Sequence, residues 1–417
     1  MTRRRGRNSK EPISRIVYVL ESPLSHRDAE RYGLRILRDE GFEILVWNVA
    51  PIFLPNSEKQ WYQPATDFAV TRLVSIAELR SACDILDVGD AVIMMVGVYR
   101  GQLHSHMEML AAVSTTRALL CAVVGAHPPD MGETENNRRH ARLVGESGSK
   151  FGFFSRCRAV TSRTIYAHGW MIHAYRRWLA LTTEVRPLDI VWVGATSVQI
   201  HQLLIGPCTQ VEYIHVFDYD VFLSLSQLDI EDSKDLVLID SMGPFHPDFV
   251  SHSIDVSDFS ADEYFAELCE ILAEIESVSG LSVTIAAHPR AAPGTLESLY
   301  GNRDVVYGRT AQCVARARAV ILTVASTAVS LAVVMMKPVL LVTMSSDPTS
   351  KNDCEILSPL LHLSKFNPGV PSAEWKLPEV NRGAYDNYLA NYIKRPSTPE
   401  LPFWRVVAHT LRSESQT

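Results

Sequence analysis

The sequence lacks the short motifs that usually identify a nucleotide-dependent or metal-dependent enzyme. It contains no G-x-x-x-x-G-K-[ST] phosphate loop, no G-x-G-x-x-G after its first apolar run and no H-E-x-x-H zinc motif. Its seven cysteines form no C-x-x-C pair, and their number is odd. These absences argue against a disulfide-stapled fold and against a zinc site, and they favour a reducing, cytoplasmic environment.

The chain also lacks an excess of positive charge. Its 40 lysines and arginines are outnumbered by 47 aspartates and glutamates, which gives a net charge of −7. Proteins that bind nucleic acid usually present a basic surface, so this balance argues against a nucleic-acid partner. With 417 residues, 47% of them hydrophobic, the chain is long enough for two or three globular domains.

Basic residues are concentrated at the start of the sequence. They are Arg3, Arg4, Arg5, Arg7 and Lys10, and no apolar segment follows them directly. The pattern is therefore not that of a secretory signal peptide. It is typical of a solvated tail or of a weak electrostatic contact with anionic lipid. We expect a cytoplasmic protein, with a peripheral contact at the inner face of the membrane as the alternative.

One apolar run, from Ala319 to Met336, has the length of a membrane-spanning helix. Its opening is rich in β-branched side chains, which favours a strand, and Ser326-Thr327 then predicts a turn at a helix N-terminus. A second apolar strand begins at Pro338. We therefore interpret the region as strand, helix and strand rather than as a membrane span.

Apolar runs alternate with segments of helical spacing along most of the chain. The predicted strands include Arg15–Leu20, Glu43–Val49, Ala91–Val96, Ala118–Val124, Asp189–Val193, Val211–Phe217, Leu236–Asp240, Leu281–Ala287, Val320–Ala325 and Pro338–Thr343. Such alternation predicts an α/β fold with parallel, doubly wound sheets, arranged as two Rossmann-like domains that face each other across a cleft. We place the first domain at residues 1–228, the second at 229–400 and a terminal helix or tail at 401–417. The polar, Gly-rich residues 127–160 are interpreted as a mobile loop or lid.

The first candidate site follows the predicted strand Leu281–Ala287. His288, Pro289 and Arg290 come directly after it. Ligands of parallel α/β sheets bind beyond the carboxyl ends of the strands, where His and Arg side chains can donate to phosphate oxygens. Pro289 stiffens the turn by fixing its φ angle. A surface turn without a ligand is the alternative.

A pair of hydroxyls, Ser326 and Thr327, lies where another buried strand is predicted to run into a helix. The free N–H groups of a helix N-terminus suit a phosphate, and hydroxyls add further donors. Plain N-capping is the alternative. Thr310 opens an earlier predicted helix, where a nucleoside base or ribose would rest. Together with His288, these residues predict a nucleotide-phosphate site within residues 281–343.

Carboxylates end two further strands and are candidates for a general base. Asp240 ends a strand of the second half, and Glu21 follows the first strand of the chain. A carboxylate at such a position can take a proton from an attacking hydroxyl. A turn-capping role is the alternative for both residues.

Four weaker candidates are expected to contact an acceptor. They are Ser22, Ser25, Thr196 and His246, each in a turn after a predicted strand. We expect no metal ion, because Arg and His side chains and a helix N-terminus can neutralise a leaving phosphate.

The order of three motifs resembles that of bacterial sialyltransferases and related capsule-polysaccharide transferases of the GT-B fold. Those families carry an acidic motif ending in Gly, then His-Pro, then Ser-Ser or Ser-Thr. The matching residues here are Asp240 to Gly243, His288-Pro289 and Ser326-Thr327, although two residues separate Asp240 from Gly243. The resemblance covers about a quarter of the chain. It implies that the acidic residue is the base and that the other two motifs hold the phosphate of CMP.

The resemblance implies an inverting, metal-independent glycosyltransferase. The donor would be a CMP-activated acidic sugar, of the sialic-acid or ulosonic-acid kind, and no separate cofactor is expected. The second domain would bind this donor, and the first would bind a glycan or lipid-linked acceptor in bacterial capsule or lipopolysaccharide synthesis. The alternatives are a UDP-sugar transferase, a UDP-sugar 2-epimerase, a CDP-glycerol-type phosphotransferase and a non-catalytic polysaccharide-assembly protein.

Overall fold

Two parallel β-sheets form the frame of the protein. The computed structural model describes residues 12–98, 104–125, 185–198, 200, 203–225, 235–251, 255–347, 350–366 and 376–414. Within them one sheet has seven strands and the other has six, and all neighbouring strands are parallel. This arrangement confirms the predicted α/β fold with two doubly wound sheets.

The first sheet is built around the first strand of the chain. Its strands are β1 (Arg15–Leu20), β2 (Glu43–Asn48), β3 (Val70–Arg72), β4 (Asp90–Met94), β5 (Leu119–Val124), β6 (Ile190–Val193) and β7 (Gln210–Tyr213). They lie in the order β3-β2-β1-β4-β5-β6-β7. In the register, Ile16 of β1 lies between Ile44 of β2 and Ala91 of β4. A central parallel strand is covered on both faces, which explains why β1 is an unbroken apolar run.

Helices flank this sheet. They are α1 (His26–Arg31), α2 (Leu34–Asp39), α3 (Ala50–Phe53), α4 (Ile76–Asp84), α5 (His104–Val113) and α6 (Phe217–Leu225), and residues Pro55–Lys59 form a 3₁₀ turn. Helical spacing continues from α1 into α2, but the structure divides the two at Gly33, whose φ of 58° cannot continue a right-handed helix. A Cβ at Gly33 would also meet the ring of Trp404 at 2.1 Å.

The second sheet repeats the same plan. Its strands are β8 (Leu236–Ile239), β9 (Val283–Ala286), β10 (Val305–Val306), β11 (Ala319–Leu322), β12 (Val339–Leu341) and β13 (Ser364–Lys365), in the order β10-β9-β8-β11-β12-β13. Its helices, with the C-terminal ones, are α7 (Pro247–Ser251), α8 (Ala261–Ser279), α9 (Thr310–Arg316), α10 (Val329–Val334), α11 (Ser350–Leu361), α12 (Arg382–Tyr388) and α13 (Phe403–Ser413).

Helix α8 shows how local sequence sets these elements. The hydroxyl of Ser260 accepts a hydrogen bond from the amide of Glu263 at 3.3 Å and caps the start of the helix. Gly280 ends it in a left-handed conformation, with φ of 67°. Between the two caps, apolar side chains at helical spacing are buried against the second sheet. The helix therefore has both of its ends and its packing face specified by sequence.

Each sheet reverses its strand order at one place. In the first sheet the reversal lies between β1 and β4, and in the second it lies between β8 and β11. Chain connections leave on opposite faces at such a point, so a crevice opens beyond the carboxyl ends of the two strands. The predicted Asp240 and Ser326-Thr327 motifs follow the two strands that border the crevice of the second sheet.

The C-terminal helix α13 packs against the first sheet rather than the second. Its buried side chains include Phe403, Trp404 and Leu411, and they join the cluster that covers one face of β1. The indole N–H of Trp404 donates to the carbonyl of Arg31 at 2.8 Å. The hydroxyl of Thr410 adds a hydrogen bond of 2.6 Å to the Glu212 carboxylate.

Some predicted elements are wrong or lie outside the described residues. The strand predicted over Val211–Phe217 ends at Tyr213, and Phe217 begins α6 instead. The run from Ala319 to Met336, by contrast, contains a strand and a helix as predicted, β11 and the short α10, and no helix of the described residues is long and apolar enough to cross a membrane. The basic residues 3–10 and the predicted lid at 127–160 lie outside the described part of the chain.

Candidate functional site

The candidate site lies at the carboxyl edge of the second sheet. Strands β9, β8 and β11 are neighbours there, so the residues that follow them are separated by only one or two strand spacings of about 4.8 Å. Asp240 follows β8, His288 follows β9 and Thr323 follows β11. The topology thus brings together three segments that are distant in the sequence.

Asp240 holds two of these segments in place. Its carboxylate accepts hydrogen bonds from the hydroxyl of Tyr300 at 2.6 Å, the amide of Met242 at 2.7 Å and the amide of His288 at 3.1 Å. Only 3% of Asp240 is exposed. Burial raises the pKa of Asp240, and the hydrogen bonds from Tyr300 and the two amides oppose that rise. The carboxylate therefore acts as a fixed acceptor that shapes the turns after β8 and β9.

The next residue, Ser241, connects this network to β11. Its hydroxyl lies 3.1 Å from that of Tyr264 and 3.5 Å from that of Thr323. Tyr264 and Thr323 are both buried. Polar contacts therefore run without interruption from the turn after β9, across β8, to the turn after β11.

The His288 side chain has a defined protonation state. Its Nδ1 accepts a hydrogen bond from the amide of Arg290 at 3.2 Å, so in the neutral ring the proton is on Nε2. Burial lowers the pKa of His288 to about 3, with further contributions from the nearby His246 and Arg290. The imidazole is therefore neutral near pH 7, and it offers one N–H donor rather than a positive charge.

Two basic side chains, His246 and Arg290, lie around this imidazole. The His246 ring lies 5.1 Å from that of His288, and its Nδ1 accepts a hydrogen bond from the Asp248 amide at 3.2 Å. Arg290 forms an ion pair of 2.8 Å with Asp248. The predicted residues His246, His288 and Arg290 are thus brought together, and Asp248 neutralises part of the charge of Arg290.

Arg27, on α1 of the first half, faces the same site. Its positive charge contributes to the lowered pKa of His288. Burial lowers the pKa of Arg27 itself, and Arg31 and Arg290 act in the same direction. The nearest carboxylate oxygen to its guanidinium is that of Asp28, at 3.4 Å. Sequence inspection missed Arg27, although its position just after the turn that follows β1 was a usable signal.

The Ser326-Thr327 segment is a turn rather than a helix cap. The Ser326 hydroxyl accepts from the Ala328 amide at 3.2 Å, and α10 begins only at Val329. The carbonyls of Ser326 and Thr327 accept from the first residues of α10. Among the described residues, the amides of Ser326 and Thr327 donate to no protein acceptor. The half-buried Ser326 and Thr327 therefore offer two neighbouring N–H donors at the edge of the crevice, while the Ser326 hydroxyl already accepts a hydrogen bond.

Two other predicted donor-binding residues have less definite surroundings. Pro289 is exposed in the turn that carries His288. Thr310 begins α9, after β10 at the outer edge of the second sheet, and Arg309 rather than Thr310 occupies its N-cap position. The strand order separates Thr310 from the β8–β11 crevice by the width of two strands.

The first half places Glu21 and its neighbours at the corresponding crevice of the first sheet. Glu21 lies 3.7 Å from Nε2 of His106, and 37% of its side chain is exposed. Ser22 follows it in a bend and is half-buried. Ser25 caps α1, because its hydroxyl accepts from the Asp28 amide at 3.0 Å and donates to the Asp28 carboxylate at 2.6 Å. Glu21 is thus the accessible carboxylate of this edge.

Thr196 is held by the C-terminal part of the chain. Its hydroxyl lies 3.3 Å from the carbonyl oxygens of Ala390 and Asn391. No contact between Thr196 and the His288 cluster is seen among the described residues. Nor do the described residues contain a group of three or more His, Cys, Asp or Glu side chains placed to hold a metal ion.

The sequence matches no protein-family model, and no curated protein matches it. Solved structures that resemble the fold include Spinosyn Forosaminyltransferase SpnP, with 12% identity, a TM-score of 0.42 and coverage of 97% of this chain and 95% of that one. The glycosyltransferase SnogD from Streptomyces nogalater has 12% identity, a TM-score of 0.38 and coverage of 96% and 99%. The wall teichoic acid polymerase TagF has 8% identity, a TM-score of 0.46 and coverage of 98% and 90%. Similarity at this level does not extend to activity or substrate.

Proposed function

We propose that the protein is an inverting, metal-independent glycosyltransferase that uses a CMP-activated acidic sugar. The observation that carries the proposal is the set of polar contacts at the point where the second sheet reverses its strand order. There the Asp240 carboxylate accepts from the His288 amide, and the Ser241 hydroxyl lies 3.5 Å from that of Thr323, which precedes the Ser326-Thr327 turn. The proposal assigns the His288 side chain and this turn to one donor site. Donors of this kind stabilise negative charge as it develops on a leaving phosphate.

The leaving group is proposed to lie between the turns after β9 and β11. His288 Nε2–H donates to one phosphate oxygen, and the amides and hydroxyls of Ser326 and Thr327 donate to others. Because His288 stays neutral, the positive charge comes from Arg290 and, across the crevice, from Arg27. These groups take the role that a metal ion would otherwise play.

The acidic sugar has a physical argument of its own. A CMP-activated sialic-acid-like donor brings a carboxylate in addition to its single phosphate, so it carries one more negative charge than a CMP-activated neutral sugar. The charges of Arg27 and Arg290 both lower the pKa of His288, and Arg290 is paired with Asp248. Cytidine as the base rests on the resemblance of the motifs rather than on a pocket for it.

Two carboxylates are candidates for the base that activates the acceptor hydroxyl. Asp240 is buried and already accepts three hydrogen bonds, so it is better suited to hold the turns than to approach a substrate. Glu21 is accessible at the crevice of the first sheet. We therefore favour Glu21 as the base, with attack on the anomeric carbon in a single inverting displacement.

The test is calorimetric titration of the full chain with CMP, UDP and GDP. We expect CMP to bind and His288→Ala to weaken it roughly tenfold, which corresponds to one charge-assisted hydrogen bond. The matched control is His409→Ala, because His409 is exposed on the outer side of α13. Tight binding of UDP without binding of CMP would refute the CMP donor and favour the UDP-sugar alternatives.

An affinity for CMP that His288→Ala leaves unchanged would refute the proposed phosphate site itself. Hydrolysis of a CMP-sugar in the absence of acceptor separates an active transferase from a non-catalytic assembly protein. A chain that binds CMP but neither hydrolyses nor transfers the sugar would support the latter. Turnover of CDP-glycerol but not of a CMP-sugar would support a phosphotransferase.

A further inference from the structure

A cavity of about 390 Å³ lies beside the His288 turn and is assigned to no step of the proposed reaction. The second half contributes residues that follow β8, such as Met242 and Phe245, and residues that follow β9, such as Arg290 and Leu296. The first half contributes Trp61. Both halves of the protein therefore form its walls.

Contacts between the halves close one side of this cavity. The side-chain amide of Gln60, at the end of the 3₁₀ turn of the first half, donates to the carbonyl of Pro247 and to the hydroxyl of Ser251 on α7. Gln60 and Pro247 both line the cavity. Because residues of both halves line the cavity, its occupant enters the space between them.

The lining is apolar, and much of it is accessible. Trp61, Phe245 and Val250 have 46%, 48% and 48% of their surface exposed, whereas large apolar side chains are usually covered. Leu296 and Leu299 form the opposite wall. Neighbouring apolar groups that remain in contact with water are typical of binding sites for apolar ligands.

Polar side chains of the lining already have partners. Gln60 is bonded to α7, and the hydroxyl of Thr295 donates to the carbonyl of Ala292 at 2.6 Å. Arg290 is paired with Asp248. A sugar or a nucleobase carries several donors and acceptors, and most of them would lose their hydrogen bonds to water in such a cavity. An apolar group loses none.

We infer that this cavity binds an apolar group of the acceptor, an aromatic ring system or an alkyl chain that carries the hydroxyl to be glycosylated. The inference rests on the proposed function. Arg290 belongs both to the cavity and to the turn of His288, so one end of the occupant lies next to the donor phosphate. The acceptor is the substrate that has to reach this place, and the sequence predicted a glycan or a lipid-linked acceptor.

The experiment is calorimetric titration of the full chain, with and without saturating CMP, using three probes. These are 2-naphthol for an aromatic acceptor, decanol for an alkyl acceptor and lactose for a plain glycan. We expect 2-naphthol or decanol to bind one equivalent, CMP not to displace it, and lactose not to compete. Whichever apolar probe binds more tightly identifies the kind of acceptor.

Three variants locate the binding. Val250→Trp fills the cavity from an exposed position, and Trp61→Ser removes one wall. Each substitution is expected to weaken binding of the apolar probe roughly tenfold or more, as the loss of a large apolar contact implies. Ile85→Trp is the matched control, because Ile85 is 68% exposed and does not line the cavity. Its probe affinity, and the CMP affinity of all three variants, should equal those of the parent.

The outcomes distinguish this inference from the proposed function. Binding of CMP with no apolar binding, or with apolar binding that neither cavity variant weakens, overturns the cavity assignment and leaves the donor site intact. Lactose binding that Val250→Trp weakens also overturns it. Apolar binding confined to the cavity without CMP binding supports an apolar site and overturns the donor assignment instead.

Discussion

Each of the two sheets has a carboxylate at the same topological position, and the two carboxylates differ in burial and in hydrogen bonding. Glu21 follows β1 and Asp240 follows β8, and each of these strands borders the place where its sheet reverses its strand order. Asp240 is 3% exposed and accepts three hydrogen bonds. The Glu21 side chain is 37% exposed, with His106 Nε2 at 3.7 Å.

The difference shows that position in the fold does not determine the role of a residue. A carboxylate surrounded by three donors is a structural acceptor, because moving it would leave buried N–H and O–H groups without partners. A carboxylate at the surface of a crevice can exchange protons and meet a substrate. The edge of the second sheet thus has a buried carboxylate that holds its turns, whereas the edge of the first sheet has an accessible one.

The largest expected effect concerns turnover. Glu21→Gln keeps the size of the side chain and removes its basicity, so it should lower kcat roughly 10²–10⁴-fold, the usual contribution of a general base. The Kd for CMP should not change, since Glu21 lies at the edge of the other sheet. The measurement is steady-state transfer from a CMP-sugar, together with titration of CMP.

Asp240→Asn is the matched comparison for that experiment. If Asp240→Asn abolishes transfer while the variant stays folded, and Glu21→Gln retains more than a tenth of the parent rate, the assignment of roles to the two carboxylates is reversed.

The next effect concerns stability. Asp240→Ala removes the acceptor of Tyr300 Oη and of two amides, so it should lower the free energy of unfolding by about 3 kcal/mol. Glu21→Ala should change it by no more than about 0.5 kcal/mol, because the side chain is accessible. Urea unfolding followed by circular dichroism measures both. Equal losses in the two variants would contradict the contrast between a fixed and an accessible carboxylate.

The smallest effect is a dependence of stability on pH at the edge of the second sheet. Burial lowers the pKa of His288 to about 3, whereas in the unfolded chain it is the ordinary value of 6.5. As the pH falls below 6.5, His288 takes up a proton in the unfolded state but not in the folded state. His288 therefore lowers the stability of the fold progressively down to about pH 3. At pH 5 the parent should have lost about 2 kcal/mol relative to His288→Gln, compared with their difference at pH 7.

Urea titrations of both proteins at the two pH values check this expectation. A difference between parent and variant that stays constant from pH 7 to pH 5 would show that His288 titrates normally in the fold and is not shielded from water.

Much of the fold could be predicted from local sequence. The strand Arg15–Leu20 has the predicted bounds, the strand predicted over Glu43–Val49 ends one residue earlier at Asn48, and α8 is capped at both ends by residues of its own segment. These segments carry their own signals, in apolar periodicity and in caps. The strand predicted over Val211–Phe217 failed because its aromatic residues suit a strand and a buried helix equally well.

The site was predictable in location but not in detail. His288 and the Ser326-Thr327 turn lie where strand ends predicted them, since strand ends of a parallel sheet meet at one edge. The hydrogen bond between Tyr300 and Asp240 joins residues 60 positions apart, so nothing near Asp240 in the sequence indicates its burial. The Ser326 hydroxyl accepts a hydrogen bond from the Ala328 amide, and such a local hydrogen bond competes with capping of α10.

Helix α13 has a consequence for how the chain can be synthesised and divided. Its side chains from Phe403 to Leu411 fill one face of the first sheet, whose last strand ends at Tyr213. During synthesis, all strands of the second sheet are therefore translated before α13, the helix that completes the core of the first sheet. A fragment cut between the sheets would leave the hydrophobic cluster around Tyr18 uncovered, so the first half should be produced with residues 403–413 supplied in trans or joined by a linker.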